Sequence, residues 1–294
     1  MIRESCCLMD TDVTVAVAGP RVPAAAAARA ALARMGEIAV KFNALDPESP
    51  LYAFNHRGEP LADPEILGLV AQGLEISRAS GGAFDMTVVP LLRLWGFYST
   101  PHVPADREIA AALACVGYRH LGWKDGQLTK DAAGVQIGLG GIAKGYALAE
   151  AARVLRENGT AGAIIDAGGD IYALGRHGAR CWHVGIRNPA GPGVVGSVRV
   201  ADTAVMGSGD YERFFIRDGR RYHHILDPHT GSPTDGVAAV TVMGPDPVAA
   251  QAWAKVPFVL GHEQGLALME KVPGMRAVVI LSGGDKVASR GMRL

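Results

Sequence analysis

Histidines and a carboxylate concentrate in one short stretch, RYHHILDPHTGSP at residues 221–233. His223 and His224 are neighbours, and in a strand their side chains point to opposite faces, which argues against a metal ion shared by the histidines. A single histidine suits acid–base chemistry or a phosphate contact because its pKa lies near neutrality. We therefore predict one working histidine in this stretch. For His229 the alternative is a polar turn residue.

A glycine loop, GLGGIAKG at residues 138–145, leads into a predicted helix with Lys144 at the junction. Free backbone N–H groups at a helix N-terminus, together with a lysine, form an anion site. The stretch is not a Walker A loop, because Ala143 rather than glycine precedes the lysine. The alternative interpretation is a plain structural turn.

Two polar side chains interrupt the apolar segment PDPVAAQAWAKVPFVLG at residues 245–261. Gln251 and Lys255 are four residues apart, so on a helix they share one face. An isolated buried lysine is costly, so its ammonium needs an anionic partner or must reach solvent along its apolar stem. Pro257 predicts that the helix ends or kinks just beyond Lys255.

The elements that hold these stretches are predicted from periodicity and punctuation. Residues 12–19 alternate as a strand, and an alanine-rich helix runs from Pro23 to about Lys41. Helix starts are predicted at Asp63 and Asp246, each followed by proline, and helix ends at Gly81 and Gly159. Beyond residue 160, short apolar runs between turn residues indicate strands. The predicted fold class is α+β, with mixed sheets and a few packed helices.

Composition excludes several classes of function. The 294 residues carry 29 Lys+Arg and 29 Asp+Glu, so there is no basic excess for nucleic acid. The four cysteines have no CxxC spacing, which supports neither a zinc site nor a disulfide framework, and the role of Cys6 and Cys7 is open. No apolar run reaches the length of a membrane span, and the start of the chain has neither a signal peptide nor a lipid-anchor motif. We expect a protein that is cytoplasmic or otherwise soluble.

The order of several motifs resembles the ApbE family of FAD:protein FMN transferases. These motifs are MDT at 9–11, SPLYAFN at 49–55, SGGAFDMT at 80–87, PLLRLWGF at 90–97, LGGIAKGYA at 139–147, AGGD at 167–170, GSGDYERFF at 207–215 and HILDPHTGSP at 224–233. The resemblance covers residues 9–294 and implies one large T-fold-like domain built of two intertwined halves. It leaves residues 1–8 as an N-terminal extension.

The resemblance implies binding of FAD and transfer of its FMN half to a Ser or Thr hydroxyl of a target protein, with release of AMP. His224 falls at the position of a base or phosphate contact, with Asp210 and Arg213 behind it. The positions implied to bind FAD are Met9, Ala83, Phe84, Asp85, Gly140, Gly141, Lys144 and Ile225.

The chain departs from the family pattern where a Mg²⁺ ion is implied. The family's metal ligands fall at Gly141, Gln251 and Lys255, where the last two replace an aspartate and a threonine. Because Mg²⁺ prefers hard oxygen ligands that include a carboxylate, these substitutions argue against the ion. Nearby, Gly138, Gly207 and Leu45 replace an aspartate, a threonine and a tyrosine.

Two hypotheses follow from this departure. In the first, the protein is a flavin transferase in which His224 and the Lys255 ammonium are catalytic, and the ammonium takes over part of the metal's work. In the second, catalysis is lost and the chain is an FAD-binding or partner-binding module. In either case an alternative is that the Lys255 ammonium lies in solvent and contacts no ligand.

Overall fold

The structure, a computed structural model, describes residues 1–293. Its helices are α1 (Arg21–Lys41), α2 (Pro50–Tyr52), α3 (Pro64–Ala79), α4 (Val89–Leu94), α5 (Asp106–Leu113), α6 (Ala143–Glu157), α7 (Pro247–Trp253) and α8 (Val256–Met269). Its strands are β1 (Ile2–Leu8), β2 (Thr11–Val17), β3 (Leu121–Lys124), β4 (Gln127–Lys130), β5 (Gly162–Ala167), β6 (Asp170–Gly175), β7 (Trp182–Arg187), β8 (Val194–Val200), β9 (Thr203–Gly209), β10 (Phe214–Arg217), β11 (Arg220–His223), β12 (Val237–Gly244), β13 (Arg276–Leu281) and β14 (Lys286–Ala288).

One large sheet organises the described residues. Its strand order is β1-β2-β5-β6-β9-β12-β13-β14, and each of these pairs is antiparallel. Three separate hairpins, β3–β4, β7–β8 and β10–β11, lie outside it. The predicted α+β class is confirmed, whereas the pairings within the large sheet are antiparallel rather than mixed.

Residues 2–8 form an edge strand, although sequence analysis assigned them no structure. Strand β1 pairs with β2 along its whole length, from Ile2 opposite Val17 to Leu8 opposite Thr11. Met9 and Asp10 make the tight turn between the strands, both with positive φ. The segment interpreted as an extension is therefore continuous with the sheet, and it exposes the thiols of Cys6 and Cys7.

Aspartate caps begin two of the helices as predicted. The Asp63 carboxylate accepts hydrogen bonds from two backbone N–H groups at the start of α3, and Asp246 does the same for α7. A proline occupies the first turn of each helix, where its missing N–H costs nothing. These caps fix where α3 and α7 enter the core.

The predicted break near Pro257 is confirmed. Helix α7 ends at Trp253 and α8 begins at Val256, with Pro257 in its first turn. Lys255 is the residue that caps α8, and its backbone N–H bonds to Ala252 O instead of continuing a regular helix. The break leaves Lys255 at the junction of two helices.

Small residues bring helices α1, α6 and α7 close together. Helix α1 packs against α6, and both helices bury several alanines, four of them in α1. At the start of α6, a Cβ on Gly145 would lie 2.3 Å from the carbonyl oxygen of Pro247. Only glycine allows this approach of α6 and α7, which places the glycine loop directly beside Gln251.

Candidate active site

A large cleft gathers the chemically interesting stretches of the sequence. Its volume is about 1100 Å³, at the upper end of the range for small-molecule sites. Its lining includes every residue that the family resemblance assigned to FAD, catalysis or metal: Met9, Ala83, Phe84, Asp85, Gly140, Gly141, Lys144, His224, Ile225, Gln251 and Lys255. The sequence-predicted residues are therefore brought together at one place in the fold.

Phe84 lies against the glycine loop. A Cβ on Gly141 would lie 2.9 Å from Cε2 of the Phe84 ring, so the backbone of the loop is packed against the ring. The loop then turns into α6, whose N-cap residue Ile142 offers no capping side chain, so the Gly145 N–H is satisfied instead by the Gln251 side chain.

Lys144 and Asp170 form an ion pair at the mouth of the glycine loop. The Asp170 side chain is only 3% exposed, and its second oxygen accepts a 2.9 Å hydrogen bond from the Gly207 N–H. The buried carboxylate is thus satisfied on both oxygens. Asp170 was not singled out from the sequence, although the AGGD motif that contains it was.

Gln251 is 1% exposed and joins α7 to the glycine loop. Its side-chain oxygen accepts a 2.8 Å bond from Gly145 N–H, and its amide nitrogen donates a 3.2 Å bond to Gly140 O. A carboxylate of the same length would accept the first bond but could not donate the second. The amide therefore matches both of its backbone partners.

The Lys255 ammonium lies in the same part of the cleft. It donates a 2.8 Å hydrogen bond to the backbone oxygen of Gln251. Burial lowers the pKa of Lys255 to about 8, with Asp170 opposing the shift and Lys144 adding to it. Within residues 1–293, the only carboxylate of this group is already paired with Lys144, so two ammoniums share one carboxylate.

His224 is a neutral imidazole in the cleft. Its Nδ1 lies 3.2 Å from the backbone oxygen of Arg213, which can only accept, so Nδ1 carries the proton and Nε2 keeps a lone pair. Burial lowers its pKa to about 4, and the nearby Lys255 acts in the same direction. The ring also meets Phe97 edge to face. His224 can therefore accept a proton or a hydrogen bond at Nε2.

His223 points away from the cleft, as the strand alternation requires. Its Nε2 donates to Thr234 O at 2.8 Å, and its Nδ1 accepts the N–H of Ile225 at 3.3 Å. Burial lowers its pKa as well. Both ring nitrogens are engaged in holding the loop, which leaves His224 as the histidine of this pair that faces the cleft.

Nearby N–H and hydroxyl groups hold the Asp85 carboxylate in place. Its carboxylate accepts bonds from the Thr87 N–H and hydroxyl at 2.8 and 2.6 Å, and from the Tyr118 N–H at 2.6 Å. Burial raises its pKa, and these three donors oppose the shift. The carboxylate therefore fixes the wall that contains Ala83 and Phe84.

The positions that depart from the family pattern differ in how much room they offer. A Cβ on Gly138 would lie 2.8 Å from a methyl of Val89, so an aspartate there requires Val89 to move. Gly207 has nothing within 4 Å of that position and would accept a larger side chain. Leu45 is 54% exposed at the rim of the cleft.

Two observations on the described residues bear on partners. Residues 1–293 contain no cluster of three or more His, Cys, Asp or Glu side chains arranged around a common point for a metal ion. None of the helices in this part of the chain combines the length and the apolar character needed to cross a bilayer.

Taken together, the fold and the cleft define an α+β protein with a deep small-molecule site whose inner end carries two lysines and one buried aspartate. Comparison with known proteins identifies its family. A sequence profile of the ApbE family matches residues 9–279. The FAD:protein FMN transferase of Treponema pallidum (strain Nichols) is 37% identical over 257 residues, covering 79% of this chain and 70% of that protein. The corresponding Vibrio cholerae enzyme is 33% identical over 259 residues, covering 84% and 77%.

Solved structures agree with this family. The ApbE protein of Thermotoga maritima superposes with a TM-score of 0.92 at 34% identity, covering 98% of this chain and 97% of that one. The apo flavinyl transferase ApbE of Pseudomonas stutzeri gives a TM-score of 0.87 at 32% identity, covering 98% and 94%. The chain belongs to the ApbE family.

Proposed function

We propose that this protein is an FAD:protein FMN transferase whose catalytic cation is the Lys255 ammonium rather than a metal ion. In the reaction, an acceptor Ser or Thr oxygen forms a bond to the phosphorus next to riboflavin. The bond from that phosphorus to the oxygen shared with AMP breaks, AMP leaves, and the hydroxyl proton passes to a base. Family membership and the gathering of the FAD-assigned residues in one cleft support the substrate.

The observation that carries the proposal is the charge at the inner end of the cleft. Asp170 balances Lys144, and the Lys255 ammonium lies beside this pair without a carboxylate of its own. A buried cation of this kind is costly unless a ligand supplies the anion. The pyrophosphate of FAD is such an anion, and Lys255 would counter the negative charge that builds up on the departing AMP.

Gly141, Gln251 and Lys255, where the family resemblance puts a divalent cation, do not fit one. The Gln251 side-chain oxygen accepts from the Gly145 N–H, and its amide nitrogen donates a hydrogen bond to the loop carbonyl of Gly140. The ammonium of Lys255 is bound to the Gln251 backbone oxygen and would repel a cation. Neither side chain supplies the hard anionic oxygen that Mg²⁺ prefers.

In this proposal Gln251 takes over the structural role of a metal ion, which is to hold the glycine loop in place. By bonding both Gly140 O and Gly145 N–H, it holds the glycine loop against α7 through its own amide. Lys255 takes over the electrostatic role, which is to counter the negative charge of the pyrophosphate. The loop is therefore preorganised before the ligand binds, which reduces the cost of ordering it.

His224 is the base that this geometry supports best. Its Nδ1 is anchored on Arg213 O, so Nε2 has a fixed direction and an available lone pair. At neutral pH the ring is neutral because its pKa is lowered to about 4. A negatively charged phosphate nearby would raise that pKa and improve proton transfer.

A titration with FAD tests the first part of the proposal and needs no acceptor protein. Purified protein is treated with EDTA or supplied with Mg²⁺, and binding is followed by quenching of flavin fluorescence. We expect the same affinity in both conditions, because the cation belongs to the chain. Binding that requires Mg²⁺ would contradict the role of Lys255.

Turnover is tested by AMP release with FAD and a protein extract of the source organism as acceptor. We expect AMP together with a fluorescent covalent band on a denaturing gel, in EDTA as in Mg²⁺, and loss of both with His224→Ala. FAD binding without AMP or a covalent band would favour the second hypothesis, an FAD-binding module. His183→Ala is a matched control, because His183 is an exposed residue of β7 outside the cleft.

A further inference from the structure

His229 connects two loops that are 148 residues apart. Its Nδ1 lies 3.0 Å from an oxygen of Asp227 in its own turn, and its Nε2 lies 3.1 Å from the backbone oxygen of Gly81, at the end of α3. Its backbone N–H also bonds to the same Asp227 oxygen. The imidazole is therefore a bridge between the turn of residues 227–231 and the SGG loop of residues 80–82.

The two partners of this ring are both acceptors. A carboxylate and a backbone carbonyl oxygen offer lone pairs and no hydrogen. A neutral imidazole has one N–H, so it can donate to only one of them. Both hydrogen bonds of His229 exist together only when both nitrogens carry a proton, which makes the bridge a property of the imidazolium.

The bridged loops continue directly into two walls of the cleft. After the SGG loop come Ala83 and Phe84, and before the turn come Ile225 and Leu226, all four in the cleft lining. Gly82 leaves the room that the bridge needs, because a Cβ there would lie 3.3 Å from Nε2 of His229. Loss of one bridging bond therefore removes a direct hydrogen-bonded link between the segments that lead into these two cleft walls.

We propose that protonated His229 is a positioning residue that holds these two walls in register, so that ligand affinity falls when the ring loses its proton. The inference rests on the proposed function in one respect, that the ligand in the cleft is FAD.

Few charged or aromatic side chains lie around His229. Asp227 is its carboxylate partner in the turn, and the Asp85 carboxylate interacts with it from the SGGAFD segment. The Tyr118 ring lies near the same space over Gly82, with Arg119 stacked on that ring. Among the described residues, these neighbours are two carboxylates and no directly contacting cation.

The test is FAD affinity between pH 5.5 and 7.5 in wild type, His229→Gln and the control His183→Gln. The midpoints of two cleft groups lie outside this window, because the pKa of His224 is lowered to about 4 and that of Lys255 to about 8. A glutamine amide keeps donor hydrogens but does not titrate. We expect wild-type affinity to weaken roughly three- to tenfold across the window, which is the worth of one hydrogen bond.

In the His229→Gln variant we expect this pH dependence to disappear, while the control follows wild type. If His229→Gln keeps the pH dependence of wild type, with or without a constant loss of affinity, the residue only packs and the proposal is overturned.

A second measurement needs no FAD and separates failure of this inference from failure of the proposed function. Amide hydrogen exchange of residues 81–85, corrected for intrinsic rates, is followed across the same pH range in the ligand-free protein. We expect protection to fall with rising pH in wild type and to stay constant in His229→Gln. Constant protection in both would overturn the bridge, whatever ligand the cleft binds.

Discussion

Lys255→Met removes one ammonium from the inner end of the cleft and keeps a side chain of similar length. We predict that this variant makes the ligand-free protein more stable and weakens FAD binding. The two effects have one cause, since a cation that burial disfavours in the empty cleft is the same cation that an incoming pyrophosphate stabilises.

The stability change follows from the pKa of Lys255, which falls from 10.5 to about 8 on folding. At about 1.4 kcal/mol per pKa unit, the charged lysine costs the folded state at most about 3.5 kcal/mol below pH 8. Lys255 is only half-buried and borders the cleft, so we expect roughly half of this. Loss of the hydrogen bond to Gln251 O offsets about 1 kcal/mol. A net gain of about 0.5–1 kcal/mol remains, or about 1–2 °C in Tm.

The sign of the effect gives a second, sharper signature. Because the folded pKa lies below the unfolded one, the wild-type protein gains stability as pH rises from about 8 to 10.5, while the variant does not. The difference in Tm should therefore shrink across this window. FAD affinity at pH 7 should fall about 10- to 100-fold, as expected for loss of a charge contact with a phosphate.

Thermal unfolding between pH 6.5 and 10.5 and a parallel FAD titration measure both effects. Lys271→Met is the control, because Lys271 is an exposed lysine outside the cleft. A Lys255→Met variant that is less stable than wild type and binds FAD equally well would refute the reasoning. It would make Lys255 a structural residue at the start of α8.

Three further predictions concern the contacts around the glycine loop. Gln251→Met, which loses both backbone bonds, should lower the free energy of unfolding by about 2 kcal/mol in urea titrations, and an unchanged midpoint would show that water replaces the amide. Gly145→Ala places a methyl against Pro247 O and should both destabilise the chain and abolish FAD binding. The control Gly68→Ala lies on the exposed face of α3 with nothing within 4 Å and should not destabilise the chain. The double variant Gln251→Asp with Lys255→Thr should bind FAD more tightly with Mg²⁺ than with EDTA, and continued EDTA resistance would count against the substitution of metal by lysine.

Activity should also depend on pH through Lys255. The ammonium is present below its pKa of about 8 and is lost above it, so kcat/KM for AMP release should fall as pH rises beyond 8. Lys255→Arg, which stays charged, should keep its residual activity over the same range. A wild-type profile that is flat to pH 9.5 would contradict a catalytic ammonium.

Local signals in the sequence predicted the parts of the fold that depend on local chemistry. The caps at Asp63 and Asp246 and the break at Pro257 follow from side-chain and backbone groups within a few residues. The opposite directions of His223 and His224 follow from strand alternation. Each of these depends on short-range physics that one window of sequence contains.

Long-range pairing was not predictable in the same way. Residues 2–8 alternate weakly and mix charge with cysteine, so nothing local shows that β2 accepts them as a neighbour. Likewise, sequence placed Gln251 and Lys255 on one face but gave no partner for the amide. Asp170 carries no local signal of burial, because a lone aspartate after two glycines is typical of a turn and its partner Lys144 is remote in the chain.

The two hydrogen bonds between the Gln251 amide and the glycine loop also constrain when the site can form during folding. Its partners Gly145 and Gly140 lie 106 and 111 residues earlier in the chain, and β12, which immediately precedes α7, inserts between β9 and β13 in the interior of the sheet. Contacts of such sequence separation form slowly, because a long loop must close before they contribute. A ribosome that has made only the first 240 residues therefore carries a chain with an unfinished sheet and a glycine loop that is not yet held. The cleft is completed among the last events of folding, so binding of a ligand in it would report that the whole chain has folded.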